Sequence, residues 1–422
     1  MRSSSSPVVV IVGGGPAGLA AAVALGKEGV EVIVIERGTW PRDKVCGEGL
    51  MPVGVEALKQ LGVFSKIDPR QRRPFRGIRW ISDDGVTAEA DFASGPGFGI
   101  RRTALSQALF DAASTIPWVN LWPSTYLTAL EVGDDQVELS LRRNGGIEKI
   151  QAQLVIGADG RSSKVRKLAK MDGKPAVSLK RWGARQHFSR APWTEHVEVW
   201  WSEGIEAYVT PSGDQQVEIA FLWDKSKYSP KRKGRELVAG LLDEFPALKA
   251  RLGEDMPPTL SPSAGIGPLA WGSSQSVSHR VVLIGDALGY VDGITGEGIS
   301  VALSQVQELQ ARLPSLIASD RLTKDALSPL GKNLSRLFAE TVPLVRAALL
   351  LTQYPLLRRL AVRGLSNSRA LFVHLLEANM GTRPLYKIPL VGLIRFLWGV
   401  LRPTSKLHLQ VEPLEAKKSR AA

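Results

Sequence analysis

Val8-Val9-Val10-Ile11-Val12 runs directly into Gly13-Gly14-Gly15-Pro16-Ala17-Gly18, and Leu19-Ala20-Ala21-Ala22-Val23-Ala24-Leu25 follows. A short β-branched run bounded by glycine is the pattern of a strand buried on both faces of a parallel sheet, and the alanine-rich stretch reads as a helix. Val30-Glu31-Val32-Ile33-Val34-Ile35 predicts a second strand ending in Glu36, 23 positions after Gly13. In such a unit Gly13 permits the tight turn, Gly15 lets the backbone approach a pyrophosphate and Gly18 allows close helix–strand packing. Pro16 and Ala17 open the helix, whose free N–H groups face the phosphates, while Glu36, followed by Arg37, is placed to accept hydrogen bonds from a ribose. Strand, turn, helix, second strand and terminal acid together predict a dinucleotide site.

The rest of the chain narrows the possibilities. Its 422 residues, 44% hydrophobic, suffice for two ordinary domains. A single cysteine, Cys46, excludes an intramolecular disulfide, and five scattered histidines without CxxC or HExxH spacing predict no metal site. Residues 331–422 carry 15 Lys and Arg against 4 acidic residues, so +11 of the net +13 belongs to a C-terminal module. Nucleic-acid binding by the whole chain is therefore not expected. Met1 to Pro7 lacks the apolar stretch of a signal peptide, and no segment offers the roughly 18 apolar residues of a spanning helix. A cytoplasmic protein is expected, peripheral at the membrane if the basic module reaches it.

Two later segments carry a resemblance. Leu154 to Gly157 leads into Ala158-Asp159-Gly160-Arg161-Ser162-Ser163, and Val281 to Ile284 leads into Gly285-Asp286-Ala287, with Gly296-Glu297-Gly298-Ile299 beyond it. With the N-terminal motif these resemble the three fingerprints of the FAD-dependent monooxygenases that share the p-hydroxybenzoate hydroxylase fold. The resemblance implies non-covalent FAD held by Gly13, Gly15, Gly18 and Glu36. It also implies roles for Arg102, in the pattern Arg102-x-x-Leu105-x-x-x-Leu109, for Asp159 and Gly160, for Gly285 and Asp286 beside the ribityl chain, and for Gly296, Glu297, Gly298 and Ile299 under the flavin. Gly289 and Gly293 stand where common aromatic hydroxylases have histidine and proline. With Lys44-Val45-Cys46-Gly47 they resemble the branch containing geranylgeranyl reductases and flavin halogenases.

The implied fold is α/β, a discontinuous Rossmann-like FAD-binding domain (1–75, 100–178 and 275–335) with an inserted α+β antiparallel-sheet substrate domain (76–99 and 179–274). A basic helical module (336–402) and a disordered tail (403–422) complete it. Alternation over Glu195 to Trp201, Glu206 to Thr210 and Gln216 to Trp223 predicts the inserted sheet. Trp182, Trp193, Trp200, Trp201 and Trp223 fall there, as core or as walls of an aromatic pocket.

The resemblance implies an NAD(P)H-dependent single-component monooxygenase acting on an aromatic or lipophilic metabolite through a C4a-hydroperoxyflavin. Its alternatives are a double-bond reductase, a halogenase and a flavoprotein that modifies a peptide or protein. The lone proline and aromatic of Glu206-Ala207-Tyr208-Val209-Thr210-Pro211 weaken the match to halogenases and geranylgeranyl reductases alike. Cys46, His187, Glu206 and Tyr208 are the catalytic candidates. Basic residues among Leu, Ile, Phe and Trp in Glu340 to Arg363 and Pro384 to Arg402 describe a helical cap, either alone or also touching a membrane or guiding an apolar substrate.

Overall fold

A computed structural model describes residues 9–178, 180–253 and 256–401. The tail expected to be disordered lies outside the described residues. Val9–Val12 forms the centre of a six-stranded sheet, with Val32–Ile35 and Val119–Trp122 on one side and Leu154–Gly157, Val281–Leu283 and Val277–Ser278 on the other. All neighbours are parallel except the edge strand Val277–Ser278. The central residues Val9, Val10 and Ile11 have no exposed surface, each burial being worth about 1.5–3 kcal/mol. The helices Pro16–Lys27, Arg102–Ser114 and Gly298–Ala318 pack together beside this sheet, and a meander of three strands, Tyr126–Val132, Val137–Arg143 and Gly146–Ala152, lies beyond Val119–Trp122 in sequence.

The inserted domain is a seven-stranded sheet in the order Ala264–Ile266, Arg181–Phe188, Gln216–Asp224, Ile205–Gly213, His196–Ser202, Gly77–Ile81 and Thr87–Asp91. His196–Ser202 and Gly77–Ile81 pair in parallel and the other pairs are antiparallel. Trp200 and Trp223 are buried on the face covered by Leu237–Leu242 and Pro246–Leu252, with Trp182 and Trp193 half-buried against the same cluster; Trp201 packs in a different cluster, edge-on to Trp80.

Four helices follow: Lys324–Gln353, Pro355–Ser366, Arg369–Asn379 and Leu390–Leu401. The expected boundary at 335/336 falls inside the first of them, because Leu327, Leu330 and Leu334 are buried in the flavin-domain core while Val345, Ala348 and Leu349 are buried in the cluster shared with the inserted sheet. The boundary at 99/100 likewise falls inside the strand Gly97–Ile100, which pairs with both Gly49–Leu50 and Arg72–Phe75. The helix foreseen over Glu340 to Arg363 is two helices, broken where Tyr354 takes an extended conformation before Pro355, which opens the second. The cap is fastened to the sheet by charge: Asp83 accepts from buried Arg358 at 2.8 Å and from Arg359 at 3.0 Å, and Glu377 accepts from the backbone N–H groups of Ala93 and Ser94.

Candidate active site

A cavity of about 1350 Å³ begins at the C-terminal ends of the central strands and extends to the C-terminal helices. At its first end lie Gly13 and Gly15. Gly13 has φ +110°, and a Cβ there would lie 2.4 Å from the Ala158 carbonyl oxygen, so only glycine fits. A Cβ on Gly15 would meet nothing within 4 Å. That open space beside the N-terminus of Pro16–Lys27 is the cradle a pyrophosphate needs. Gly18 does not reach the cavity; its missing side chain lets the helix close on the turn, since a Cβ would sit 1.9 Å from the Gly13 carbonyl oxygen.

Glu36 is buried and accepts from the backbone N–H groups of Gly14 at 2.8 Å and Gly38 at 2.9 Å, which aligns its carboxylate at the cavity wall beside Arg37. Pro16, Ala17, Arg102, Asp159, Gly160, Gly285 and Asp286 also line this end. Arg102 and Asp159 each keep a buried atom, Nη1 and Oδ1, without a hydrogen-bond partner. Burial pushes the Asp159 carboxyl up, although Lys164 and Val165 donate backbone N–H groups to its other oxygen. Open space at Gly15 and two orphaned polar atoms fit a bound FAD. Gly296, Gly298 and Ile299 line the next part. Glu297 points away from it, accepting from Asn379 of the third C-terminal helix at 2.9 Å, and burial raises its pKa to about 8.

The four catalytic candidates separate. Cys46 and Tyr208 line the cavity, together with Thr210 two positions on. Burial holds the Cys46 thiol and the Tyr208 phenol above their ordinary values, so both face the cavity protonated at neutral pH. Glu206 instead accepts from Arg181 at 2.7 Å, and Arg181 also donates to Asp292 at 3.0 Å, all three side chains being buried. Despite burial, Asp292 and Glu206 hold the Arg181 guanidinium firmly charged. Asp292 accepts from the Ile294 N–H and Tyr208 donates to the Ile294 carbonyl, so this network braces the loop before Gly296. Glu206 thus holds an arginine 25 residues away in sequence.

His187 lies behind the cavity wall. Its Nε2 is 2.9 Å from Glu48 Oε2 and its Nδ1 is 2.7 Å from Ser261 Oγ. Burial lowers its pKa; its Nδ1 also meets Arg185 Nη1 at 3.2 Å, while Nε2 and Glu48 Oε2, though close, are both buried without a hydrogen-bond partner among the described residues. Glu218, fully buried, lies 3.9 Å from both His187 Nε2 and Arg185 Nε; burial, then the nearby Glu48 carboxylate, pushes its pKa well up. The ligand atoms of Glu48, His187 and Glu218 lie within 4.8 Å of one another, a trio that no sequence spacing announces. The Arg185 guanidinium beside Glu218, itself paired with Asp43, already brings positive charge there.

Sequence reading missed several wall residues. Lys44 pairs with Asp286 at 3.3 Å and Tyr290 borders the loop before Gly296; behind the wall, Trp40 Nε1 donates to the Gly14 carbonyl at 2.9 Å. Lys44 and Glu48 flank Cys46, and that segment was the available signal. Of Trp182, Trp193, Trp200, Trp201 and Trp223 only Trp201 lines the cavity, alongside Trp80 of the same inserted sheet. The far end is built by the C-terminal cap, for which guidance of an apolar substrate was one expectation: Leu344, Ala348, Leu365, Leu371, Phe372, Leu375 and Phe396 form an apolar wall. The departure at Gly289 now has a cause, because a Cβ there would meet the Phe338 ring at 2.9 Å.

Comparison with known proteins agrees with this geometry. The FAD binding domain family model matches residues 6–322. The menaquinone reductase of Mycobacterium tuberculosis (strain CDC 1551 / Oshkosh) is 28% identical over 315 residues, covering 72% of this chain and 75% of that protein. The 3-demethoxyubiquinol 3-hydroxylase of Escherichia coli K12 is 28% identical over 325 residues, 71% of this chain and 78% of that protein. Among solved structures, p-nitrophenol 4-monooxygenase PnpA from Pseudomonas putida DLL-E4 superposes with a TM-score of 0.76 at 19% identity, over 90% of this chain and 99% of that one. The match spans the glycine turn, the two later strand ends and the inserted sheet, and the chain belongs to the FAD binding domain family as an FAD-dependent oxidoreductase of the p-hydroxybenzoate hydroxylase-type fold.

Proposed function

We propose that this oxidoreductase is an NAD(P)H-dependent monooxygenase that hydroxylates the ring of a lipophilic metabolite carrying a long apolar tail. The observation that carries this reading is the single cavity, with glycine turns and charged side chains at one end and apolar side chains of four helices at the other. Bound FAD, once reduced, supplies the means of activating oxygen. Gly13 and Gly15 give backbone room to its phosphates, Glu36 receives a ribose, and the N-terminus of Gly298–Ala318 offers N–H groups to negative charge on the reduced ring. Tyr208, held protonated, can donate a hydrogen bond to an oxygen of the substrate ring, and the apolar far wall excludes water while fixing the tail. Both relatives named above carry quinone or quinol names.

Incubating the holoenzyme with NADPH, a polyprenylated hydroquinone and ¹⁸O₂ tests the reading by mass spectrometry. The expected product gains one labelled oxygen atom, and none forms without oxygen. A second reading, reduction of a carbon–carbon double bond in the tail, draws on the protonated Cys46 thiol at the cavity wall and on the menaquinone reductase likeness. A product that gains two hydrogens under anaerobic conditions would establish it and overturn the hydroxylase.

A further inference from the structure

The last helix, Leu390–Leu401, is built inside out for a helix on a water-facing surface. Its buried residues are Gly392 and Gly399, seven positions apart and therefore on one face. A Cβ on Gly392 would meet Leu371, and one on Gly399 would lie 2.7 Å from Asn367. Phe396, on the same side, lies over Gly364, where a Cβ would come within 2.4 Å of its ring. The helix thus docks by its smallest residues. Its large apolar residues face outward: Leu390 is 70% exposed, Val391 63%, Ile394 58% and Leu401 79%. The preceding segment adds Tyr386, 83% exposed. A helix that is apolar on its outer face needs a non-aqueous neighbour.

Two further observations choose the neighbour. Arg383, Lys387 and Arg395 are exposed around this stripe and form no ion pair among the described residues, in a C-terminal region that holds almost all the chain's excess positive charge. Such a rim suits anionic headgroups, to which basic residues near a charged bilayer are drawn. The same segment also reaches inward, because Ile388, Leu393 and Phe396 line the cavity. No helix among the described residues is long and apolar enough to cross a membrane, so the contact is with one leaflet. We propose that Leu390–Leu401 lies in the surface of a bilayer containing anionic lipid, with Leu390, Val391, Ile394 and Leu401 immersed and Arg383, Lys387 and Arg395 at the headgroups, and that an apolar tail passes from the leaflet into the cavity alongside Ile388, Leu393 and Phe396. This deepens the lipid-substrate reading by giving the tail a route.

Flotation of the FAD-loaded protein tests the docking without any turnover. The protein is expected to float with vesicles of phosphatidylcholine containing phosphatidylglycerol, and less with phosphatidylcholine alone. Val391→Glu with Ile394→Glu should lower the bound fraction about tenfold or more on both, and Lys387→Glu with Arg395→Glu should erase the preference for anionic vesicles. Flavin content and melting temperature equal to the parent show that the variants are folded. Failure of the parent to float overturns the inference, as does a dimer seen by light scattering that the Val391→Glu/Ile394→Glu variant dissociates. A protein that floats but oxygenates no lipid leaves the docking standing and removes the function proposed above.

Discussion

At the nucleotide end of the cavity the wall is mostly backbone: Gly13 and Gly15 leave room, Gly296 turns at φ +72°, and the charged groups there are held by partners such as Gly14, Gly38 and Lys44. At the far end the wall is side chain alone, Leu, Ala and Phe from four helices that could exchange places with little change of character. The first end is specified by residue identity at fixed positions, and the second by volume. A substitution at the first should therefore fail outright, whereas one at the second should change which molecule fits.

The largest expected effect lies between the two ends. Arg181→Met leaves the carboxylates of Glu206 and Asp292 buried without their cation, which should cost about 3–5 kcal/mol of stability in denaturant unfolding. A loss below 1 kcal/mol would mean that the brace on the Asp292 loop is replaceable and that the ends are less distinct than they look. Next, Gly15→Val should leave the fold intact, since its side chain enters open space, and weaken FAD by about 100-fold, roughly 3 kcal/mol. Circular dichroism and flavin absorbance separate these two effects. A valine protein that keeps its flavin would mean that the phosphates do not pass Gly15.

At the apolar end Ala348→Phe should leave flavin content unchanged and lower kcat/KM for a long-tailed substrate about tenfold relative to a tail-less analogue. Equal loss for both substrates would move the tail elsewhere in the cavity.

The same contrast governs what could be read from the sequence. Gly13, Gly15 and Glu36 were legible because a phosphate or ribose contact demands one residue type at one distance from a strand end, while Asp159 and Asp286 came from the family resemblance. Glu206 was placed on the right strand but given the wrong task, since nothing local reveals that Arg181 and Asp292 converge on it. The Glu48, His187 and Glu218 cluster joins three separate segments and has no local signature at all. Apolar residues at helical spacing between Glu340 and Arg363 predicted helices, but the pattern is the same whether a helix covers a core or walls a cavity.

The last test asks whether the two ends are coupled through Glu297 and Asn379. Glu297 sits at the start of the helix Gly298–Ala318, and burial raises its pKa to about 8, opposed only by the Asn379 hydrogen bond. In the folded protein it then carries a proton that the unfolded chain has lost above the ordinary carboxylate range. Stability should accordingly fall as pH rises toward about 8, by at most about 1.4 kcal/mol per pH unit, and level off beyond. Glu297→Gln has no such proton to lose, so its advantage over the parent should grow between pH 6 and 8, read as diverging melting temperatures. Parallel curves would mean that Glu297 is already ionised, its charge stabilised by the helix N-terminus. That outcome has a chemical consequence. An ionised Glu297 would occupy the positive potential that the reduced cofactor needs, whereas a neutral one, held by Asn379 from the cap, leaves the helix N-terminus free for it.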